Sequence, residues 1–124
     1  MKKYKTLKEI YYDKDVIDQE YRDFLFEREI EYPVCGFHIN PGWFKLVSDL
    51  IHELIATGWD KKLDQVKQKF CGLRFYVGSK LTQGQKDLID KYEQKSFNIC
   101  EFCGEYIPGE RSFKAGSNTC KDCK

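Results

Sequence analysis

Residues 63–78 read "LDQVKQKFCGLRFYVG". In the second arm Leu73, Phe75 and Val77 alternate with Arg74 and Tyr76. That is the period of a strand with one buried face. Gly72 stands between the two arms, so the stretch reads as a β-hairpin. Placing Cys71 and Gly72 in the turn pairs Phe70 with Leu73, Lys69 with Arg74, Gln68 with Phe75, Lys67 with Tyr76 and Val66 with Val77. Val66, Phe70, Leu73, Phe75 and Val77 then share a core face with Gln68, and Lys67, Lys69, Arg74 and Tyr76 share the outer face. A cation directly across from another costs a few tenths of a kcal/mol up to about 1. Three cations beside an aromatic ring therefore form a candidate partner-binding face for an anionic surface. The plainer alternative is a solvated strand edge.

Helices flank the hairpin. "NPGWFKLVSDLIHELIATG" opens with Asn40 as an N-cap and Pro41 at the first helical position, and stops at Gly58. Trp43, Leu46, Val47, Leu50, Ile51, Leu54 and Ile55 recur at helical spacing, a wide core stripe. Asp49, His52 and Glu53 lie opposite it. A second helix runs from about Thr82 to Phe97, with Thr82 and Gln85 as a capping box and Leu88, Ile89 and Tyr92 as its buried stripe. Upstream, "DVIDQEYRDFLFEREI" reads as a helix with Ile17, Tyr21, Phe24 and Leu25 on one side. Phe26 and Ile30 fall on another side. Either a second copy or a partner covers them, or the helix ends near Glu27 and these two residues turn back into the core. "EYPVCGFHINPG" reads as a loop that leaves this helix loosely docked.

The C-terminal stretch, residues 98–124, is "NICEFCGEYIPGERSFKAGSNTCKDCK". Its two CxxC pairs, Cys100/Cys103 and Cys120/Cys123, are separated by sixteen residues. Tetrahedral zinc needs two sulfurs from each side, and this spacing supplies them. Gly104 directly after Cys103 permits the tight turn that aims amides at the sulfurs. "EYIPGERSFK" reads as strand, Pro-Gly turn and strand, so the whole is a four-cysteine zinc ribbon carrying one structural zinc. With four sulfur ligands no position stays open for substrate, and the tail has too few apolar groups to fold without metal.

The chain of 124 residues divides into an N-terminal helical segment (1–34), an α+β core (35–97) and the ribbon (98–124). The fold class is α+β: helices packed on a short antiparallel hairpin, with the ribbon appended. Charge is balanced, 21 basic against 20 acidic residues. Four thiolates with one zinc add about −2, so a uniformly basic nucleic-acid coat is not the reading. No internal repeat, membrane span or secretory signal is visible. A reducing compartment follows, which favours metal over disulfides. Catalysis finds no signature. His38 and His52 are the only imidazoles, nothing places a base beside Cys71, and no phosphate-cradling loop occurs. Cys35, His38, His52 and Cys71 could form a second metal site, against the plain reading of ordinary cysteines and surface histidines.

"PGWFKLVSDL", "QVKQKFCGLRFYV" and the CxxCG that follows resemble a family of small uncharacterised proteins common in bacteriophages and prophages. Its members show a Pro-Gly-Trp helix start, a Lys-x-Lys-Phe-Gly-Gly-Leu-Arg-Phe-Tyr hairpin and a cysteine pair. The resemblance covers about residues 41–105. This chain departs from it with Cys71 where the family has glycine. The resemblance implies a phage-related origin and little more; with no export signal read in the sequence, the expected place is the cytoplasm of the host cell. Three functions are then expected in turn. The first is a non-catalytic binding protein that grips a host protein, for instance to inhibit a defence or housekeeping complex. The second is a nucleic-acid-binding accessory using the ribbon and the basic hairpin face. The third is a structural part of a phage particle.

Overall fold

The two arms of the hairpin do pair antiparallel, but around a turn one residue earlier than the sequence reading places it. In the computed structural model, which describes residues 14–78 and 80–106 and the side chains from residue 19 onward, β2 (Leu63–Lys69) faces β3 (Gly72–Val77). Val66 lies opposite Phe75, Lys67 opposite Arg74, Gln68 opposite Leu73 and Lys69 opposite Gly72. The turn residues are Phe70 and Cys71, at φ +53° and +64°. Two successive positive φ values match the right-handed twist of the strands, as type I′ turns do. Cys71 thus holds the left-handed conformation that glycine takes at no steric cost.

Gly72 is needed for a different reason. A Cβ there would lie 2.3 Å from the Phe97 ring. Phe97 packs directly on the strand backbone, and that contact locates Gly72 inside β3 instead of in the turn. Because the turn moves by one residue, each pairing shifts by two positions and the faces do not exchange. Val66, Leu73 and Phe75 are buried and Tyr76 points out, as the alternation predicts. The exception is Phe70. It was expected in the core, but it sits at the turn and is 68% exposed.

A third strand joins the pair. β1 (Phe37–His38) lies in the stretch read as a loop, and it runs parallel to β2, with Phe37 opposite Val66 and His38 opposite Lys67. The sheet order is β1-β2-β3, so β2 is central. The strand is too short for any alternation to reveal it. Gly36 N–H donates to Pro33 O (3.0 Å), and Val66 N–H donates to Gly36 O (3.0 Å), which starts the pairing.

Among the described residues three α-helices complete the α+β fold. α1 (Lys14–Glu27) ends where Glu29 turns to φ +60°, with Glu29 N–H on Phe26 O and Ile30 N–H on Leu25 O. This is a Schellman stop made by a non-glycine residue. It turns Ile30 back into the core and leaves Phe26 83% exposed. The helix is firmly seated, contrary to the loose docking expected. Tyr21 is buried, its hydroxyl donates to Ile39 O (2.8 Å), and its ring meets those of Phe37 and Phe44 at 4.8 and 5.4 Å.

Asn40 and Pro41 lead into a 3-10 turn (Pro41–Trp43) and then α2 (Phe44–Ala56). Gly58, at φ +86°, stops the helix, and Trp59 N–H closes on Leu54 O (3.2 Å). Trp43, Val47, Leu50, Ile51 and Leu54 are fully buried and make the centre of the core. α3 (Gln83–Ser96) begins with the Thr82/Gln85 capping box in full. Ile89 and Tyr92 are buried and Leu88 half-buried, close to the stripe read from the sequence. α3 also seals the outer edge of β3. Ser96 Oγ accepts from Leu73 N–H (2.8 Å) and Glu93 Oε2 from Phe75 N–H (2.9 Å). Those amides would otherwise be an open template for another strand. Burial lifts the Glu93 carboxyl above its ordinary 4.5, against the pull of the Phe75 amide and of Arg74.

Candidate metal centre and outer sheet face

Two constellations were singled out in the sequence. The first is the cysteine set. Cys100 and Cys103 flank a tight turn that follows α3. Cys100 N–H donates to Glu105 O (2.8 Å) and Gly104 N–H to Cys100 O (2.9 Å). Gly104 is at φ +82°, the left-handed conformation expected of a glycine in this place. Ile99 and Tyr106 pair antiparallel across the base. Cys100 is buried and Cys103 half-buried. Such a turn presents two thiols from one short loop, which suits half of a tetrahedral sulfur site. Cys120 and Cys123, and the Pro-Gly hairpin between the pairs, lie outside the described residues.

The described residues hold no group of three or more His, Cys, Asp or Glu that could bind a metal. Of the four residues considered for a second site, Cys35 and His38 are exposed and Cys71 is buried. His52 accepts a hydrogen bond from Arg28 Nε (2.8 Å) and lies against the Phe24 ring. A cleft of about 380 Å³ opens beside Cys103, lined by Pro41, Lys45, Leu46, Asp49, Tyr92 and Lys95. Burial, and a hydrogen bond donated to Glu53, push the Tyr92 phenol up to about 12, so it stays protonated at neutral pH. Lys45 is tied to Asp49 (2.8 Å).

The second constellation is the outer face of the sheet. The register puts Lys67 directly opposite Arg74, and Tyr76 opposite Gln65. The expected Lys69–Arg74 and Lys67–Tyr76 pairs do not occur. The four residues still share one face, because the register moved by an even number. Lys69 and Tyr76 are exposed, and Lys67 and Arg74 half-buried. β1 adds a member the sequence reading missed. His38 pairs with Lys67, so His38, Lys67 and Arg74 form one row across all three strands. Only the parallel pairing of β1 could have disclosed it. Among the described residues, Lys67, Lys69 and Arg74 make no ion pair. Lys69 Nζ lies 5.5 Å from the Phe70 ring centre.

No protein-family model, curated protein or solved structure matches the chain. Among the described residues no helix is long and apolar enough to cross a membrane.

Proposed function

We propose that this is a non-catalytic binding protein, held together at its C-terminal end by one zinc ribbon, that grips an acidic surface of a partner protein with the outer face of its sheet. The observation that carries the reading is the row His38, Lys67 and Arg74, in which neither cation makes an ion pair among the described residues. Like charges side by side cost stability; Glu93 offsets part of that cost at Arg74, and a negatively charged partner removes the rest on binding. The Cys100–Gly104 turn supports the ribbon, with Cys120 and Cys123 completing the four sulfur ligands. The phage resemblance makes a host protein the natural partner.

A second reading is nucleic acid. Phe70 and Tyr76 are both exposed beside the cations, an arrangement that also suits bases stacked next to a phosphate backbone.

The test is a Lys67→Glu, Lys69→Glu, Arg74→Glu variant with circular dichroism and zinc content matching the wild type. Capture of a host protein should be lost from bacterial lysate treated with nuclease. Capture at equal strength overturns the assignment of this face. Capture that vanishes on nuclease treatment of the wild type, and weakens steeply with salt, turns the reading to nucleic acid.

A further inference from the structure

The Cys100–Gly104 turn is locked against the start of the core helix. Gly42 N–H donates to Glu101 O at 2.7 Å. A Cβ on Gly42 would lie 2.3 Å from Cys100 O and 2.5 Å from the Glu101 carbonyl carbon. Backbone meets backbone there, and nothing flexible can yield. Gly42 itself is not in the left-handed region, so this glycine serves close approach alone. Trp43 Nε1–H donates to Ile99 O (2.9 Å). Glu101, the residue after the first cysteine, is 3% exposed, and its carboxylate turns toward the body. It accepts from Asn40 Nδ2 (2.7 Å) and from Gln68 Nε2 (3.4 Å). Asn40 makes no side-chain cap for its own helix, so its amide is committed to this contact. The Pro-Gly-Trp stretch, read as a helix start, is therefore also the platform for the cysteine turn.

We infer that Gly42 and Glu101 are positioning residues for the metal: the body presets Cys100 and Cys103, and metal occupancy in turn stabilises the body. The inference rests on the zinc reading above. A turn already ordered by the core loses less freedom when metal arrives, so affinity rises. Whatever binds only the folded arrangement also stabilises it, so the coupling runs both ways.

The experiment measures zinc content by native mass spectrometry, zinc affinity by chelator competition, and thermal unfolding with zinc or with EDTA. Unfolding is followed by Trp43 fluorescence in a Trp59→Phe background. Trp59 is suited to that change because its buried indole N–H has no hydrogen-bond partner among the described residues. Gly42→Ala should weaken zinc binding about 10–100-fold, the size seen when groups that orient metal ligands are lost. EDTA should lower the melting temperature reported by Trp43 by about 4 °C or more, and Gly42→Ala should shrink that shift. Zinc-binding wild type whose affinity is unchanged by Gly42→Ala, or whose Trp43 melt ignores EDTA, overturns the inference and leaves the zinc reading standing. Wild type without zinc overturns both. Should Gly42→Ala fail to fold, Asn40→Ala removes one bond to Glu101 without touching a cap. A several-fold loss of affinity then supports the coupling, and an unchanged affinity refutes it.

Discussion

The inner and outer faces of the three-stranded sheet are built on opposite principles. On the inner face Val66, Leu73 and Phe75 are at most 3% exposed and meet the helices. Each of these three adds apolar burial, worth about 1.5–3 kcal/mol for a large aliphatic or aromatic group. On the outer face Lys67 stares at Arg74, with His38 beside them, and burial is partial. That arrangement subtracts from stability. The same backbone thus carries a face that holds the fold and a face on which, apart from Phe97 packed on Gly72, the side chains are charged or polar and at most partly buried. The difference is the physical ground for assigning recognition to the outer one.

Three changes probe this contrast. Phe75→Ala should cost about 3–5 kcal/mol, the usual loss for an aromatic ring removed from a packed core. Urea unfolding measures it, and a loss below about 1 kcal/mol would mean that the inner face is not the core described here. Phe70→Asn should act the other way at the turn between the faces. The ring is largely exposed and its residue sits at φ +53°, where Asn is tolerated better. Relief of the left-handed strain should stabilise the protein by about 1 kcal/mol, seen as a higher melting temperature. Lys67→Glu should have the smallest effect, a gain of about 0.2–1 kcal/mol as a like-charge pair with Arg74 becomes an opposite-charge pair. A loss in that variant would show that Lys67 already has a stabilising role, and the outer face would no longer stand apart from the inner.

Much of the fold was legible because its signals are local. The Thr82/Gln85 box, the Gly58 stop and the stripe from Trp43 to Leu54 each depend on residues within a few turns of one another, and each is where the sequence places it. Alternation along Leu73, Phe75 and Val77 assigned the two faces correctly even though the turn was misplaced. The candidate site was legible in part. The shared face of Lys67, Lys69, Arg74 and Tyr76 follows from the strand period, and the proposed zinc ligands rest on the cysteine spacing alone.

The chain's local periods and caps thus determine which segments become helices or strands and which way their side chains point. What they leave open is set by contacts between distant residues. Phe97 lying on Gly72 moves the turn to Phe70 and Cys71. The parallel pairing of Phe37–His38 with Val66–Lys67 brings His38 into the basic row. Glu29, with no glycine to announce it, ends the first helix, and the chain beyond it carries Ile30 into the core. Glu101 and Gly42 join the cysteine turn to the core helix across almost 60 residues of chain. Each of these contacts reflects volume, register or hydrogen-bond satisfaction in the packed state. Those quantities exist only once the elements have met, so no window of sequence contains them.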